Sequence, residues 1–221
     1  LPRNESIVFS AAGFVLAGGE SSRMGTDKAL ALFNGIPLIE NALATLAAAG
    51  LTGRIAGSRS QLDLYAEAIP DTFPNTGPLG GIHAALSASQ AEWNVFVPVD
   101  LPLMPASLLT ALLERAQRTD SPVTVAALNG KIEPFPVILQ KSVLDNLTYR
   151  LKSGRSACHA AWQEIPGSMN KTLDAVSVES LLQTGQIPHP ASLAPALWFQ
   201  GANTPAELAQ LNGIAAKFAV I

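Results

Sequence analysis

The chain has 221 residues, 48% hydrophobic and 14% charged, with a formal net charge of −3 at pH 7. That composition excludes a disordered chain, and the small negative charge gives no electrostatic footprint for nucleic acid or an anionic membrane. The single cysteine, Cys158, excludes an internal disulfide and a multi-cysteine metal site, and it is expected to be a buried thiol.

The length favours one domain over residues 1–221. No apolar run reaches the roughly 18 residues of a membrane span. Arg3 and the apolar stretch after it imitate a signal peptide. That stretch runs straight into a glycine-rich loop, however, so the chain is expected to be cytoplasmic. Residues 1–10, starting at Leu1, are expected to fray.

Residues 14–17 predict a buried first strand. It ends in Gly18-Gly19, and small polar residues, Arg23, Gly25 and Lys28 follow. Strand, glycine loop and then cations is a way to bring backbone N–H groups and positive charge to phosphate. Arg23 offers a planar fork and Lys28 a point charge, suited to different oxygens of a polyphosphate. The loop is neither a Walker loop nor a dinucleotide fingerprint. Gly19 and Gly25 enclose five residues, Lys28 follows no glycine, and Gly18-Gly19 lacks the G-x-G spacing.

Residues 29–33 read as a short extended piece and Asn34-Gly35 as a turn. Pro37 opens a helix over 38–49 that Gly50 stops. A strand over 53–57 and a short helix over 61–68 follow. This alternation favours a parallel α/β sheet. Residues 71–81 hold too much Gly and Pro for regular structure and lead into a helix over 82–89. Gly80 and Gly81 place open backbone at that helix start, which suits an anion or a plain structural connection. His83 is expected to be a packed helix residue.

Residues 93–100 form the strongest buried-strand candidate in the middle of the chain, with Asp100 at its C-terminal end. Open α/β sheets bind ligands there, and a carboxylate in that place is either a Mg²⁺ ligand or a cap for the turn into the helix over 106–118. Strands over 123–128 and 136–139 flank Asn129-Gly130 as a hairpin, and a helix over 143–151 follows. Lys152 and Arg155 lie in a basic turn suited to an acceptor phosphate or to plain solvation. Residues 164–196 look loop-rich and carry no chemistry, and neither His159 nor His189 has a second ligand at zinc spacing. Residues 197–199 suggest a last short strand. Thr204, Pro205 and Glu207 then form an N-cap, a first helical residue and a capping-box acid.

Read as one ordered pattern, L-A-G-G-x-S-x-R-M-G-x-D-K from Leu16 to Lys28 resembles the nucleotidyltransferase signature of the molybdenum cofactor guanylyltransferases, the MobA family. Three further islands agree with it: the 71–81 loop with its G-P-L-G-G segment, the Asp100 turn, and Asn203-Thr204-Pro205 with Leu208. The resemblance spans residues 14–211. It implies a three-layer α/β/α domain with a mostly parallel, Rossmann-like nucleotide-binding sheet, and an active site made by loops at the strand C-termini. It also implies transfer of GMP from GTP to the phosphate of molybdopterin, free or molybdenum-loaded, with release of diphosphate and with Mg²⁺ as cofactor. Transient contacts with cofactor biosynthesis proteins or acceptor molybdoenzymes belong to the same picture.

By the resemblance, Arg23, Lys28 and Asp100 carry the catalysis. Leu16, Ala17, Gly18, Gly19, Lys28, Asp71 and Asp100 hold the nucleotide, and Asp100 and Asn203 hold the metal. Gly77, Pro78, Leu79, Gly80 and Gly81 border the acceptor. Two positions depart from the family pattern. Gly57 stands where a base-reading Asn is common, with Ser58 next to it, and Gly201 stands at the first Asn of N-x-N-T-P. Gly18-Gly19 is more like the guanylyl than the cytidylyl branch. A cytidylyl- or sugar-nucleotidyltransferase, and a nucleotide-binding accessory protein without turnover, are the alternatives.

Overall fold

In the computed structural model, residues 10–18, 27–57, 61–187 and 193–218 are described. Gly19, Arg23, Ser58 and His189 lie outside them, as does most of the 1–10 segment. The first strand, inside the sheet, is β1 (Ala11–Leu16). Phe14 and Val15 are both fully buried but join different apolar clusters, one on each face of the sheet. A strand buried on both faces reads as a continuous apolar run, which is why the sequence shows it so clearly.

Around β1 run a two-stranded hairpin, β2 (Leu32–Phe33) and β3 (Ile36–Pro37), then β4 (Gly53–Ala56), β5 (Ala68–Ile69), β6 (Trp93–Pro98), β7 (Val123–Leu128), β8 (Lys131–Gln140) and β9 (Asp174–Ser177). The main sheet has the order β5-β4-β1-β6-β8-β7-β9. Every neighbouring pair in it is parallel except the two that β8 makes, with β6 and with β7. Asn129 and Gly130 turn β7 into β8 at φ 50° and 74°, the left-handed geometry a tight hairpin needs. The chain leaves β1 for β4 on one side and returns to β6 on the other. The C-terminal ends of β1 and β6 therefore form the crevice where the strand order reverses.

The helices are α1 (Leu38–Ala48), α2 (Pro78–Ala88), α3 (Ala106–Thr119), α4 (Leu144–Lys152), α5 (Cys158–Ser168), α6 (Val178–Gln183) and α7 (Pro205–Phe218). Buried residues of α1, α3, α6 and α7 join one cluster, and those of α2, α4 and α5 join the other. The result is the expected three-layer α/β/α arrangement with a mostly parallel sheet. Among the described residues no helix is long and apolar enough to cross a membrane.

Several local expectations change, and residues 29–30, read as extended, lie in a 3₁₀ turn, Lys28–Leu30. Residues 61–65 are turns rather than a helix. Only Leu62 is buried there, while Leu64 is 90% exposed, so no apolar face exists to hold so short a helix. The helix expected from residue 82 begins at Pro78, whose ring suits a first helical position after Gly77 at φ 63°. The stretch 164–196 is less loop-rich than expected, since it holds the end of α5, all of β9 and all of α6. Residues 197–199 are part of a 3₁₀ turn, Pro195–Phe199, not a strand.

Candidate active site

Strands β1, β4 and β6 end side by side, and backbone bonds tie their exits together. Val99 N–H donates to the Leu16 carbonyl at 3.2 Å, and Ala17 N–H donates to the Ala56 carbonyl at 3.3 Å. Leu16 and Ala17 are buried, so contact with a nucleoside is confined to their backbone, where the Leu16 carbonyl and the Ala17 N–H are already bonded. Gly18 is the first exposed residue of the loop.

Where the described chain resumes, Asp27 caps a short 3₁₀ turn, Lys28–Leu30, by accepting from Ala29 N–H at 3.0 Å. That turn aims Lys28 across the crevice. Its Nζ lies 2.5 Å from Asp100 Oδ2 and 2.8 Å from Asn203 Oδ1. The three residues are 72 and 175 positions apart in sequence. Two local devices hold the far partners. Ala202 N–H donates to the Asp100 carbonyl at 2.9 Å, fixing the last turn against the β6 exit. Glu207 reaches back to accept from Asn203 N–H at 2.8 Å, while Thr204 Oγ1 accepts from Glu207 N–H at 3.2 Å. This is the reciprocal cap that the sequence spacing implies, with the acid satisfying the residue before the Thr. The Lys28 and Asp100 side chains are 17% and 20% exposed, so their ion pair is largely withdrawn from water.

Gly201, the departure from the family pattern, sits beneath this group. A Cβ there would lie 2.7 Å from Asn203 Nδ2 and 3.5 Å from Asp100 Oδ2. The glycine makes room for the Asn203 amide beside Asp100.

Asp100 and Asn203 present a carboxylate and an amide oxygen, both hard donors. No group of three or more His, Cys, Asp or Glu side chains gathers among the described residues. Mg²⁺ is commonly held by one or two carboxylates together with phosphate oxygens and water, so this donor set suits it. The Lys28 ammonium bridging the two oxygens is a stand-in cation that marks the same place.

Asp71 follows β5 beside the first turn of α2. A Cβ on Gly81 would lie 3.4 Å from its Oδ1 and 3.6 Å from the Ala56 Cβ. Among the described residues Asp71 Oδ1 is buried without a hydrogen-bond partner, and burial pushes the carboxyl above its ordinary range. On the same helix a Cβ at Gly80 would overlap Thr76 Oγ1 and stand 2.6 Å from the Phe73 carbonyl. The two glycines therefore let the 71–77 loop close down on α2. One expectation narrows as a consequence. Leu79, Gly80 and Gly81 are packed inside, and only Gly77 and Pro78 of the expected acceptor border are open to solvent.

His83, read from the sequence as packed, is 8% exposed and clamps that loop. Its Nδ1 is 3.1 Å from Thr72 Oγ1, its Nε2 is 2.9 Å from Thr148 Oγ1 on α4, and its ring meets Phe73 edge-on. Burial, and then the charge of Lys152, hold it below the ordinary histidine pKa. No local pattern announces this clamp, because Thr148 comes 65 positions later.

A switch-point crevice with a lysine, a carboxylate and an amide oxygen at its mouth defines a nucleotide-handling α/β protein. The chain belongs to the MobA-like NTP transferase family, whose profile matches residues 13–165. It is 34% identical over 187 residues to a molybdenum cofactor guanylyltransferase of Vibrio cholerae, covering 80% of this chain and 91% of that protein. It is 40% identical over 147 residues to one of Xanthomonas euvesicatoria, covering 66% and 73%. Among solved structures it superposes on molybdopterin-guanine dinucleotide biosynthesis protein A of Archaeoglobus fulgidus with a TM-score of 0.74. That match has 21% identity and covers 93% of this chain and 99% of the other.

Proposed function

We propose that this protein transfers GMP from GTP to the phosphate of molybdopterin, free or molybdenum-loaded, and releases diphosphate. The observation that carries the reading is the convergence of Lys28 on Asp100 and Asn203 at the β1 and β6 exits, in a chain of the MobA-like family. The acceptor phosphate attacks the α-phosphorus of GTP, and the bond to diphosphate breaks. The nucleophile is already an anion, so no general base is required. What the protein must supply is in-line positioning and positive charge on the phosphates.

In this reading Gly18 and Gly19 let the nucleotide approach the β1 exit, and the backbone of Leu16 and Ala17 meets the nucleoside. Arg23 and Lys28 bind phosphate oxygens, and Asp71 completes the nucleotide site. Asp100 and Asn203 would hold Mg²⁺, which when bound supplies charge neutralisation on phosphate oxygens. Gly77 and Pro78 form the exposed border that faces the acceptor. We also read residues 1–221 as one nucleotidyltransferase domain. The support is that one sheet separates both apolar clusters.

The test is diphosphate release with GTP, CTP, ATP and UTP in turn, in Mg²⁺, with and without purified molybdopterin. GTP-selective release that depends on molybdopterin is expected. A preference for CTP would move the protein to cytidylyl transfer. Triphosphate binding with no release under any condition would overturn the enzymatic reading.

A further inference from the structure

The Lys28 ammonium does two incompatible things in the reading above, on which this inference rests. It is assigned to phosphate, yet it bridges Asp100 Oδ2 at 2.5 Å and Asn203 Oδ1 at 2.8 Å, the two oxygens assigned to the metal. One pair of oxygens cannot hold an ammonium and a divalent cation in the same place. We propose that Lys28 is a tethered counter-cation that neutralises Asp100 and occupies the Asn203 amide oxygen until a triphosphate draws it away, so that divalent metal and nucleotide bind as a coupled pair.

The physical argument has three parts. Lys28 and Asp100 are only 17% and 20% exposed, so a carboxylate left alone here would be poorly solvated. The ammonium supplies the missing charge through a charge-assisted bond. Lysine is suited to exchange, because its charge is a point on a flexible four-carbon stem rather than a fixed fork. The stem starts from the capped turn Lys28–Leu30, so the same side chain can swing from the carboxylate to a phosphate bound beside it. The acceptors are anchored independently of the lysine. Asn203 N–H donates to Glu207 and the Asp100 carbonyl accepts from Ala202 N–H, so the backbone under both acceptors stays in place when Lys28 leaves. Affinity lost by metal to the resident lysine is recovered when triphosphate binds, and linkage makes the gain reciprocal.

The test titrates Mn²⁺ as a spectroscopic probe into the full chain without nucleotide, read by loss of the free-ion electron paramagnetic signal. The set is wild type, Lys28→Met, Lys28→Arg, Asp100→Asn and the Lys28→Met/Asp100→Asn double variant, each first shown to melt cooperatively. Lys28→Met is expected to bind Mn²⁺ about ten- to a hundredfold more tightly than wild type, the range of one charge-assisted bond. Lys28→Arg keeps a resident cation and should stay near wild type, while the double variant should lose the gain. A non-hydrolysable GTP analogue should then raise Mn²⁺ affinity more in wild type than in Lys28→Met. If Lys28→Met binds no more tightly than wild type while Asp100→Asn weakens binding, the lysine is no competitor and the proposal falls, with the metal assignment intact. If Asp100→Asn changes nothing in either background, the metal assignment itself falls and takes the proposal with it.

Discussion

Gly57 lies so close to Gly18 that a Cβ on it would stand 3.2 Å from both the Cα and the N of Gly18. Its φ of 106° is also in the region that L side chains rarely adopt. The position is held there by its N–H, which donates to the Ile69 carbonyl at 3.0 Å. In this backbone, therefore, position 57 would carry the base-reading Asn that the family resemblance implies only under strain.

Installing that Asn is the direct test. Gly57→Asn should strain the β4 exit by about 1–3 kcal/mol and push the Gly18 backbone out of line. A lower Tm and a higher KM for triphosphate are expected together. An unchanged Tm with sharper GTP selectivity would show instead that the backbone relaxes and that the side chain is useful there.

Gly201→Ala addresses the other departure. Its Cβ would press on Asn203 Nδ2 at 2.7 Å, the free end of a rotatable amide. The amide should swing away and give up its bond to Lys28, with stability changing by less than about 0.5 kcal/mol because no core group is disturbed. Turnover should fall to the level of Asn203→Ala. A wild-type rate would mean that the Asn203 amide contributes nothing.

Asp100→Ala should lower turnover by about 10²–10³ or more, as expected when a charge stabiliser is removed from a phosphoryl-type transition state. The protein should still melt cooperatively, since the backbone bond from Ala202 to Asp100 survives. Lys28→Ala should reduce turnover or triphosphate affinity. Steady-state kinetics in Mg²⁺ check both, and a wild-type rate for either variant removes that residue from the mechanism.

The His83 clamp predicts a pH-dependent stability. Burial and Lys152 hold its folded pKa below the ordinary 6.5, so the native state favours the neutral ring. Below about pH 6.5 the unfolded chain takes up a proton that the folded chain does not, and stability falls until the folded pKa is passed. His83→Ala should cost about 2–3 kcal/mol at pH 7.5, from the lost ring packing and the lost bonds to Thr72 and Thr148. The gap between wild type and variant should shrink at pH 5.5. Urea melts at the two pH values give the comparison, and a constant gap would exclude His83 as the cause.

What the sequence made legible follows from how local each cause is. Buried runs such as β1 and β6, the Asn34-Gly35 turn at φ 50° and 79°, and the Thr204–Glu207 cap are set within a few residues, and each has its local signature. Strand β9 is set from far away. It pairs with β7, and Arg115 on α3 grips Asp174 at 2.8 Å, so Asp174 to Ser177 alone carries too little apolar pattern to be seen. The candidate site divides in the same way. Residue types at the four islands suggested phosphate and metal chemistry. That Lys28 itself bridges Asp100 and Asn203 is a tertiary fact with no local trace.

Cys158 gives a prediction in which burial protects a group by suppressing its ionisation. The residue is half-buried at the start of α5, and burial of its thiol pushes the pKa from 9.0 up to about 12, with Arg150 offsetting part of the rise. Alkylation proceeds through the thiolate. At pH 8 an unfolded thiol is about one-tenth ionised, against about one part in 10⁴ for a pKa near 12, a difference of about a thousandfold. Iodoacetamide should therefore label the native protein far more slowly than the urea-unfolded chain at pH 8. Between pH 7 and 10 the native rate should climb about tenfold per pH unit without levelling, while the unfolded rate levels as pH passes 9. Stability follows the same sign: a raised thiol pKa favours the native state below pH 9, and that advantage is lost as pH rises from 9 toward 12. A native rate that levels near pH 9 would show an ordinary, solvated thiol and would remove burial as the cause of the shift.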